Sequence, residues 1–359
     1  MIYNLSQPLA RGVSKKMLLS LLLLHLSLML AATMSSAASP PTTTLNNGQT
    51  LPLLGLGTWK SAPGQVSAAV EQAIQCGYRH IDCAYLYLNE KEVGEGIRRC
   101  IEQGICTREE LFVTSKLWCD SHAPEDVAPA LQESLDNLGL DYLDMYLVHW
   151  PVALKKGVQF PDQKSDMLPL EQVPLTETWK ALEACVASGK TKGIGVSNFS
   201  QKKLQEILEK ATIPPAINQI ERHPYLAQNK LVSYCKEQGI HVTAYSPLGS
   251  LDRPEMLKQG PNEPNLLEDP VIVALAAKHS VTPAQLLLQW ALATGTSVIP
   301  KTVQSHRLVE NFDAQTVVTL DEEDLEQVAA LDQHRRYILG DFWTGGESPY
   351  TLENLWDES

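Results

Sequence analysis

The sequence predicts an α/β chain closed into a (β/α)8 barrel, and three observations predict it. From Leu45 to about Ala330, apolar strand-like runs alternate with amphipathic helical ones, and eight strand candidates can be counted. The eight βα units fill roughly 260–280 residues, the size of such a barrel, in which each parallel strand needs a crossover helix before the next. The rival architecture, an open doubly wound sheet, usually carries G-x-G-x-x-G after its first strand to hold a pyrophosphate. No such run follows the first strand here.

Taken in order, the 359-residue chain begins with an apolar stretch, Met17 to Ala32. It follows Arg11, Lys15 and Lys16 and runs into Ser36-Ala37-Ala38, the layout of a secretory signal peptide. Its 16 residues, interrupted by His25, are short for a membrane span, which needs ~20. The alternative is that translation starts at Met34. Either way residues 1–40 stand apart, and residues 45–359 form one barrel domain with its tail.

Asn46-Asn47-Gly48 lies between two short runs and predicts a hairpin ahead of the barrel, expected to plug one end. The eight strand candidates are Leu53–Trp59, Tyr78–Ala84, Leu111–Trp118, Leu143–Trp150, Thr191–Ser197, Ala216–Arg222, His241–Tyr245 and Ser297–Pro300. Helical patterns fall between them at Gln65–Gln75, Glu90–Gln103, Pro124–Leu138, Thr176–Ser188, Lys202–Lys210 and Asn229–Glu237. A longer one runs from Pro270 to Leu292, and Arg307–Asn311 follows the eighth strand. Two connections, Pro151–Pro174 and Gly249–Asp269, are long enough to predict mouth loops that shape a pocket. The tail from Arg335 carries Tyr337, Phe342, Trp343, Tyr350 and Trp356, too many aromatics to stay solvated, so it is expected to fold over the mouth.

Composition narrows the function. Against 29 Lys+Arg stand 42 Asp+Glu, a formal net charge of −13, which argues against a generic nucleic-acid surface. Three of the positive charges lie within residues 1–40, which hold no acid, so the body is more acidic still. Seven dispersed cysteines without a C-x-x-C pair predict neither a disulfide framework nor a thiolate zinc site. No H-x-x-x-H or H-x-H cluster offers metal ligands.

In a barrel the active site lies where strands end and βα loops begin. The strand ends carry Trp59, Asp82, Lys116, His149, Ser197 with Asn198, Gln219, Tyr245 and Lys301. A structural core would not gather eight such groups on one rim. Asp82 and Lys116 end adjacent strands and can pair, which lets two charges survive burial. Tyr87 follows on the first loop; a phenol near pKa ~10 is a poor acid, and a neighbouring ammonium is expected to lower it. With His149 beside it, the quartet makes a proton donor aimed at one atom. No nucleophile with a partner base and no second carboxylate for glycoside chemistry accompanies it.

These residues resemble the aldo-keto reductase superfamily. The matching runs are Gly55-Leu56-Gly57-Thr58-Trp59, GYRHIDCAYLYLNEKEVGEGI from Gly77 to Ile97, LDMYLVHWP from Leu143 to Pro151 and GVSNFS from Gly195 to Ser200. NQIERHPY from Asn218 to Tyr225, TAYSPLGS from Thr243 to Ser250 and IPKTVQSHRLVENF from Ile299 to Phe312 continue them in order. The resemblance implies reduction of aldehydes or ketones with NADPH, Tyr87 as general acid, Lys116 and Asp82 tuning it, and His149 orienting the carbonyl. It implies that Ser197, Asn198 and Gln219 hold the carboxamide, that Tyr245 stacks under the nicotinamide, and that Ser246, Leu248 and Ser250 line the pyrophosphate side. Lys301, Thr302, Arg307, Glu310 and Asn311 match the adenosine end, where two cations and a hydroxyl suit a 2′-phosphate. Trp59, Trp118 and Trp150, with His149, match the substrate wall, and Asp252 with Lys60 would clasp the cofactor. Glu255 and the tail depart from the animal enzymes, so substrate preference does not carry over.

The expectation is therefore a monomeric NADPH-dependent enzyme acting on a small-molecule carbonyl, with no metal, nucleic acid or membrane partner for the barrel. Asn198-Phe199-Ser200 is a glycosylation acceptor inside the expected site, which favours the cytoplasm for the body of the enzyme.

Overall fold

The computed structural model describes residues 40–357, and the expected targeting segment lies outside them. The expected hairpin is present as β1 (Thr42–Thr44) and β2 (Thr50–Pro52), paired antiparallel, with Gly48 at φ 82 closing its turn. Leu45 and Leu51 pack with Phe112, Met145, Leu147, Ala216 and Ile217, which lie at or near the starts of three barrel strands. Asn46 Nδ2 donates to Pro215 O at 2.9 Å and Gln49 Nε2 to Asp144 O at 3.1 Å. The hairpin thus plugs the N-terminal end of the barrel, opposite the loops that carry chemistry.

The barrel strands are β3 (Leu56–Gly57), β4 (His80–Asp82), β5 (Phe112–Leu117), β6 (Met145–Val148), β9 (Ile194–Ser197), β10 (Ile217–Glu221), β11 (His241–Tyr245) and β12 (Ser297–Val298). Each lies inside its expected run, and neighbours pair in parallel in chain order. Closure is made by backbone: Gly55 N–H donates to Val298 O, Val298 N–H to Leu53 O and Gly57 N–H to Pro300 O, at 2.8, 2.8 and 3.1 Å. Leu54 and Gly57 bridge Val298 and Lys301 across this seam. A side chain at Gly57 would press its Cβ to 2.7 Å from Ile299 O, so the seam closes only around glycine.

The helices that wrap the barrel include α1 (Val66–Cys76), α2 (Glu90–Glu102), α3 (Pro124–Leu138), α4 (Leu175–Ala187), α5 (Gln201–Leu208) and α6 (Asn229–Glu237). Val93, Ile97 and Cys100 form the buried stripe of α2, spaced as a helix face requires. The expected Pro270–Leu292 helix is instead two, α7 (Pro270–His279) and α8 (Pro283–Ala293), bent by 90°. Ser280 at φ 56 ends the first, and Thr282 caps the second with Gln285 in a reciprocal pair ahead of Pro283. The apolar periodicity runs through the break, which is why it reads as one helix. Next, α9 (Ser305–Val317) extends well beyond its expected core, and α10 (Glu322–Ala329) is a helix the sequence pattern does not reveal.

The first long connection folds into a small antiparallel pair, β7 (Ala153–Leu154) with β8 (Met167–Leu168). The second is held by the buried Arg253–Glu263 pair. The tail ends in α11 (Leu352–Trp356) and packs over the mouth with Trp118, Trp150 and Val152. All seven cysteines are free thiols, six of them buried, as expected of packing residues. Among the described residues no single helix is long and apolar enough to cross a membrane.

Helix α2 lies unusually close to its neighbours because Gly94 faces the Leu138 carbonyl and Gly96 the Ser67 carbonyl. Gly94→Ala should therefore destabilise the fold by about 1–3 kcal/mol, although alanine favours an isolated helix by about 1 kcal/mol. Urea unfolding midpoints check this; a variant at or above the parent's midpoint would mean that the helices are not in close contact there.

Candidate active site

Asp82 closes β4 and Lys116 stands one residue before the end of β5, and both side chains are buried. Lys116 Nζ donates to Asp82 Oδ1 at 2.5 Å, to Cys83 O at 2.9 Å and to the Tyr87 hydroxyl at 3.4 Å. All three ammonium protons are thereby assigned, the condition under which a buried lysine keeps its charge. The other Asp82 oxygen accepts from Gln219 Nε2 at 2.6 Å. Burial pulls the Lys116 ammonium down, but Asp82 and Tyr87 outweigh it and leave its pKa raised.

Tyr87 ends the short turn Tyr85–Tyr87, and Leu88 at φ 56 reverses the chain behind it. Here the structure corrects the expected direction of its pKa. Burial of the phenol raises it, and the pull of Lys116 offsets this only in part, with Asp82 also opposing the phenolate. Tyr87 therefore keeps its proton at neutral pH, with a cation 3.4 Å away to receive the charge that departure of the proton would leave.

His149 follows β6 with its ring edge-on to Trp118 and Tyr87, at centroid distances of 5.1 and 5.8 Å. Burial first, then Lys116 and His122, hold its pKa well below 6.5, so the ring is neutral. Its Nδ1 is buried without a partner, which leaves Nε2 as the atom that can act. A neutral imidazole can orient a carbonyl oxygen but cannot serve as an imidazolium acid.

The residues expected to hold the carboxamide form one network with this quartet. Ser197 Oγ donates to Gln219 O at 2.9 Å, Asn198 Nδ2 to His149 O at 3.0 Å, and the Tyr245 hydroxyl to Asn198 Oδ1 at 2.7 Å. Tyr245 is half-buried at the end of β11 and so can present its ring to a flat ligand. Beyond it Ser246 and Ser250 adopt φ of 49° and 47° around Leu248 and Gly249. Left-handed backbone at non-glycine residues costs free energy and gathers at ligand sites.

At the expected adenosine end Thr302 is buried, Arg307 is exposed on α9 and Asn311 is buried one turn further on. Glu310 accepts from Thr282 Oγ1 at 2.7 Å and so ties α9 to α8. Asp252 forms its ion pair with Lys301, at 3.1 Å, rather than with Lys60 as the clasp requires. Lys301 is fixed beside the barrel seam and meets Asp252 directly, whereas the Lys60 ammonium lies over its neighbour Trp59, 5.9 Å from the ring centroid. Cations, curled backbone and a half-buried ring together fit an anionic dinucleotide.

Of the residues expected to form the substrate wall, Trp118 and Trp150 share one buried apolar cluster, and Trp59 packs against it. The tail supplies the rest: Trp343 lies 5.8 Å from Trp118, and Phe342 and Trp356 lie 5.6 and 5.8 Å from Trp150. Two anchoring groups escaped the sequence reading. Glu221, buried at the end of β10, pairs with His223 at 2.8 Å and accepts from the Tyr337 and Ile338 N–H groups at 2.6 and 2.9 Å. Lys203 reaches the other end of the tail. An acid and a histidine two residues apart at a strand end were a signal for the first; nothing marked the second.

Residues 53–333 match the aldo/keto reductase family model. An aldo/keto reductase of Synechocystis is 52% identical over 314 residues, covering 88% of this chain and 95% of that protein. Aldo-keto reductase family 1 member A1 of Rattus norvegicus is 48% identical over 297 residues, covering 82% of this chain and 90% of its own length. The solved structure of the aldose reductase from Schistosoma japonicum superposes with a TM-score of 0.78 at 39% identity, covering 86% of this chain and 97% of that one.

Three buried histidines of the barrel carry a pH signature. Burial pushes His80 down to about 4 and His122 to about 3, and holds His149 well below 6.5. The unfolded chain then takes up protons first, so native stability should fall as pH drops through about 6.5, by about 2 kcal/mol for each of His80 and His122 at pH ~5, with His149 acting in the same direction. Urea midpoints should be clearly lower at about pH 5 than at about pH 7.5. Equal midpoints would mean that these rings are charged or hydrated in the native state.

Proposed function

The chain belongs to the aldo/keto reductase family and is an oxidoreductase, and we propose that it reduces aldehydes and ketones to alcohols with NADPH, Tyr87 giving the proton. The observation that carries this reading is the Tyr87 hydroxyl held 3.4 Å from a buried ammonium, itself anchored at 2.5 Å on Asp82. NADPH, when bound, supplies the hydride that the carbonyl carbon accepts. The carbonyl oxygen, gaining negative charge, takes the proton from Tyr87, and the product is the alcohol.

Each residue has a physical task. Lys116 stabilises the phenolate left behind, and Asp82 balances the lysine so that the charge persists when the mouth is filled. Neutral His149 points the carbonyl oxygen at Tyr87 through Nε2. Trp59, Trp118 and Trp150 exclude water and strengthen these electrostatics. Ser197, Asn198 and Gln219 would hold the carboxamide and Tyr245 the nicotinamide ring. Ser246, Leu248 and Ser250 would follow the pyrophosphate. Lys301, Thr302 and Arg307 would take the 2′-phosphate, with Glu310 and Asn311 at the adenosine. Asn198 is 3% exposed and bonded on both sides, which supports a cytoplasmic working place for the barrel, away from glycan transfer.

Tyr87→Phe should keep NADPH binding, read as quenching of protein fluorescence, and lose turnover of 4-nitrobenzaldehyde by about 100-fold or more. Near-normal turnover would remove Tyr87 as donor. Arg307→Ala and Lys301→Met should each raise KM for NADPH by about tenfold and leave KM for NADH within about twofold. Equal losses with both cofactors would mean that the cations do not read the 2′-phosphate.

A further inference from the structure

A charge cluster fastens the far end of the wall that the tail adds to the mouth. Lys203 lies in the first turn of α5, the helix that begins three residues after Asn198, and its side chain is only 6% exposed. Its ammonium donates to Asn354 O at 2.6 Å, Leu355 O at 3.1 Å and Asp357 Oδ2 at 2.5 Å. Ser200, which caps α5 by accepting from the Lys203 N–H at 3.2 Å, donates to the same Asp357 oxygen at 2.5 Å. Lys202 lies 3.7 Å from the other Asp357 oxygen.

The cluster answers a need created by α11. A five-residue helix does not hold together by itself, and its last carbonyls lack partners within the helix. A buried ammonium at that negative end supplies both hydrogen bonds and opposite charge. The rest of the tail has other attachments: Glu221 holds Tyr337 and Ile338, and the Tyr350 hydroxyl bonds Ala153 and Leu168 at 2.8 and 2.6 Å. Among the described residues beyond Tyr350 the polar tether to the barrel is the Lys203 cluster, while Trp356 Nε1 donates within the tail to Leu339 O at 2.8 Å. That stretch carries Leu355, fully buried, and Trp356, packed on Trp150 and covered on its other side by the Arg336 guanidinium at 3.8 Å.

We propose that Lys203 and Asp357 form an ionic latch that presses Trp356 onto Trp150 and thereby sets the fit of the pocket for the apolar flank of the carbonyl substrate. They are positioning residues, acting through Trp356 and away from the reacting atoms. The inference rests on the reductase reading for its kinetic consequence, but the latch has a structural readout of its own.

The test uses Lys203→Met, Asp357→Asn, the double variant and Lys203→Arg in the full chain. Lys203→Met and Asp357→Asn should raise KM for 4-nitrobenzaldehyde about tenfold, with kcat within about threefold and NADPH binding unchanged. The double variant should be no worse than the singles, because one interaction is lost only once, and Lys203→Arg should recover most of the parent KM. Acrylamide quenching of tryptophan emission should increase in the same variants as Trp356 is released. Asp357→Asn is nearly isosteric and decides the matter alone where Lys203→Met does not fold. Unchanged KM in the singles, or additive losses in the double variant, would overturn the latch. A parent chain that turns over no carbonyl at all would sink the reductase reading, and acrylamide quenching would then decide the latch by itself.

Discussion

A lysine ammonium held without water on the rim of the barrel is the constraint around which the site is arranged. Lys116 keeps its charge because Asp82, the Cys83 carbonyl and the Tyr87 hydroxyl accept hydrogen bonds from its three N–H groups. Asp82 in turn is held between Lys116 and Gln219. That requirement fixes the register of β4 against β5, since a shift of one residue would turn either side chain to the other face and leave a bare buried charge. The barrel does more than carry the pair. Its strands place two opposite charges side by side with the loop that presents Tyr87, and the tail closes above them.

The same economy extends outward from the pair. Gln219 links Asp82 to Ser197, Asn198 links His149 to Tyr245, and so the groups that would hold a cofactor share hydrogen bonds with those that would handle the proton. Networks of this kind resist rearrangement, because moving one member leaves another unsatisfied in a poorly solvated place. His149 is neutral for the same reason that Lys116 is charged: the lysine has its carboxylate, and the imidazole has none.

Much of this was legible in the sequence, for identifiable reasons. Strands buried on both faces read as apolar runs, so all eight were found, and the polar residue that breaks each run marked the rim. Asn46-Asn47-Gly48 named its hairpin through turn chemistry. What stayed hidden depends on distance and burial. The turn at Ser280 interrupts no apolar pattern, and α10 is short and acidic. The upward displacement of Tyr87 reflects burial beating a nearby cation, a balance that residue types do not reveal. Asp252 pairs with Lys301 instead of Lys60 because of where the seam puts the lysine. Nothing in the sequence of α5 marks Lys203, because the tail that lies on it is distant in the chain.

The seam that closes the barrel also sets an order in time. Leu54 meets Val298 and Gly57 meets Lys301, so the contact that completes the cylinder joins opposite ends of the domain and carries a large loop-closure cost. Asp82, Lys116 and His149 lie on consecutive units near the beginning of the chain, whereas Lys301 arrives with the last strand. During synthesis the Asp82–Lys116 pair is available long before Lys301. The nascent chain therefore holds the residues of its buried ion pair well before those of the closing seam, and the cylinder is complete only when the last strand arrives.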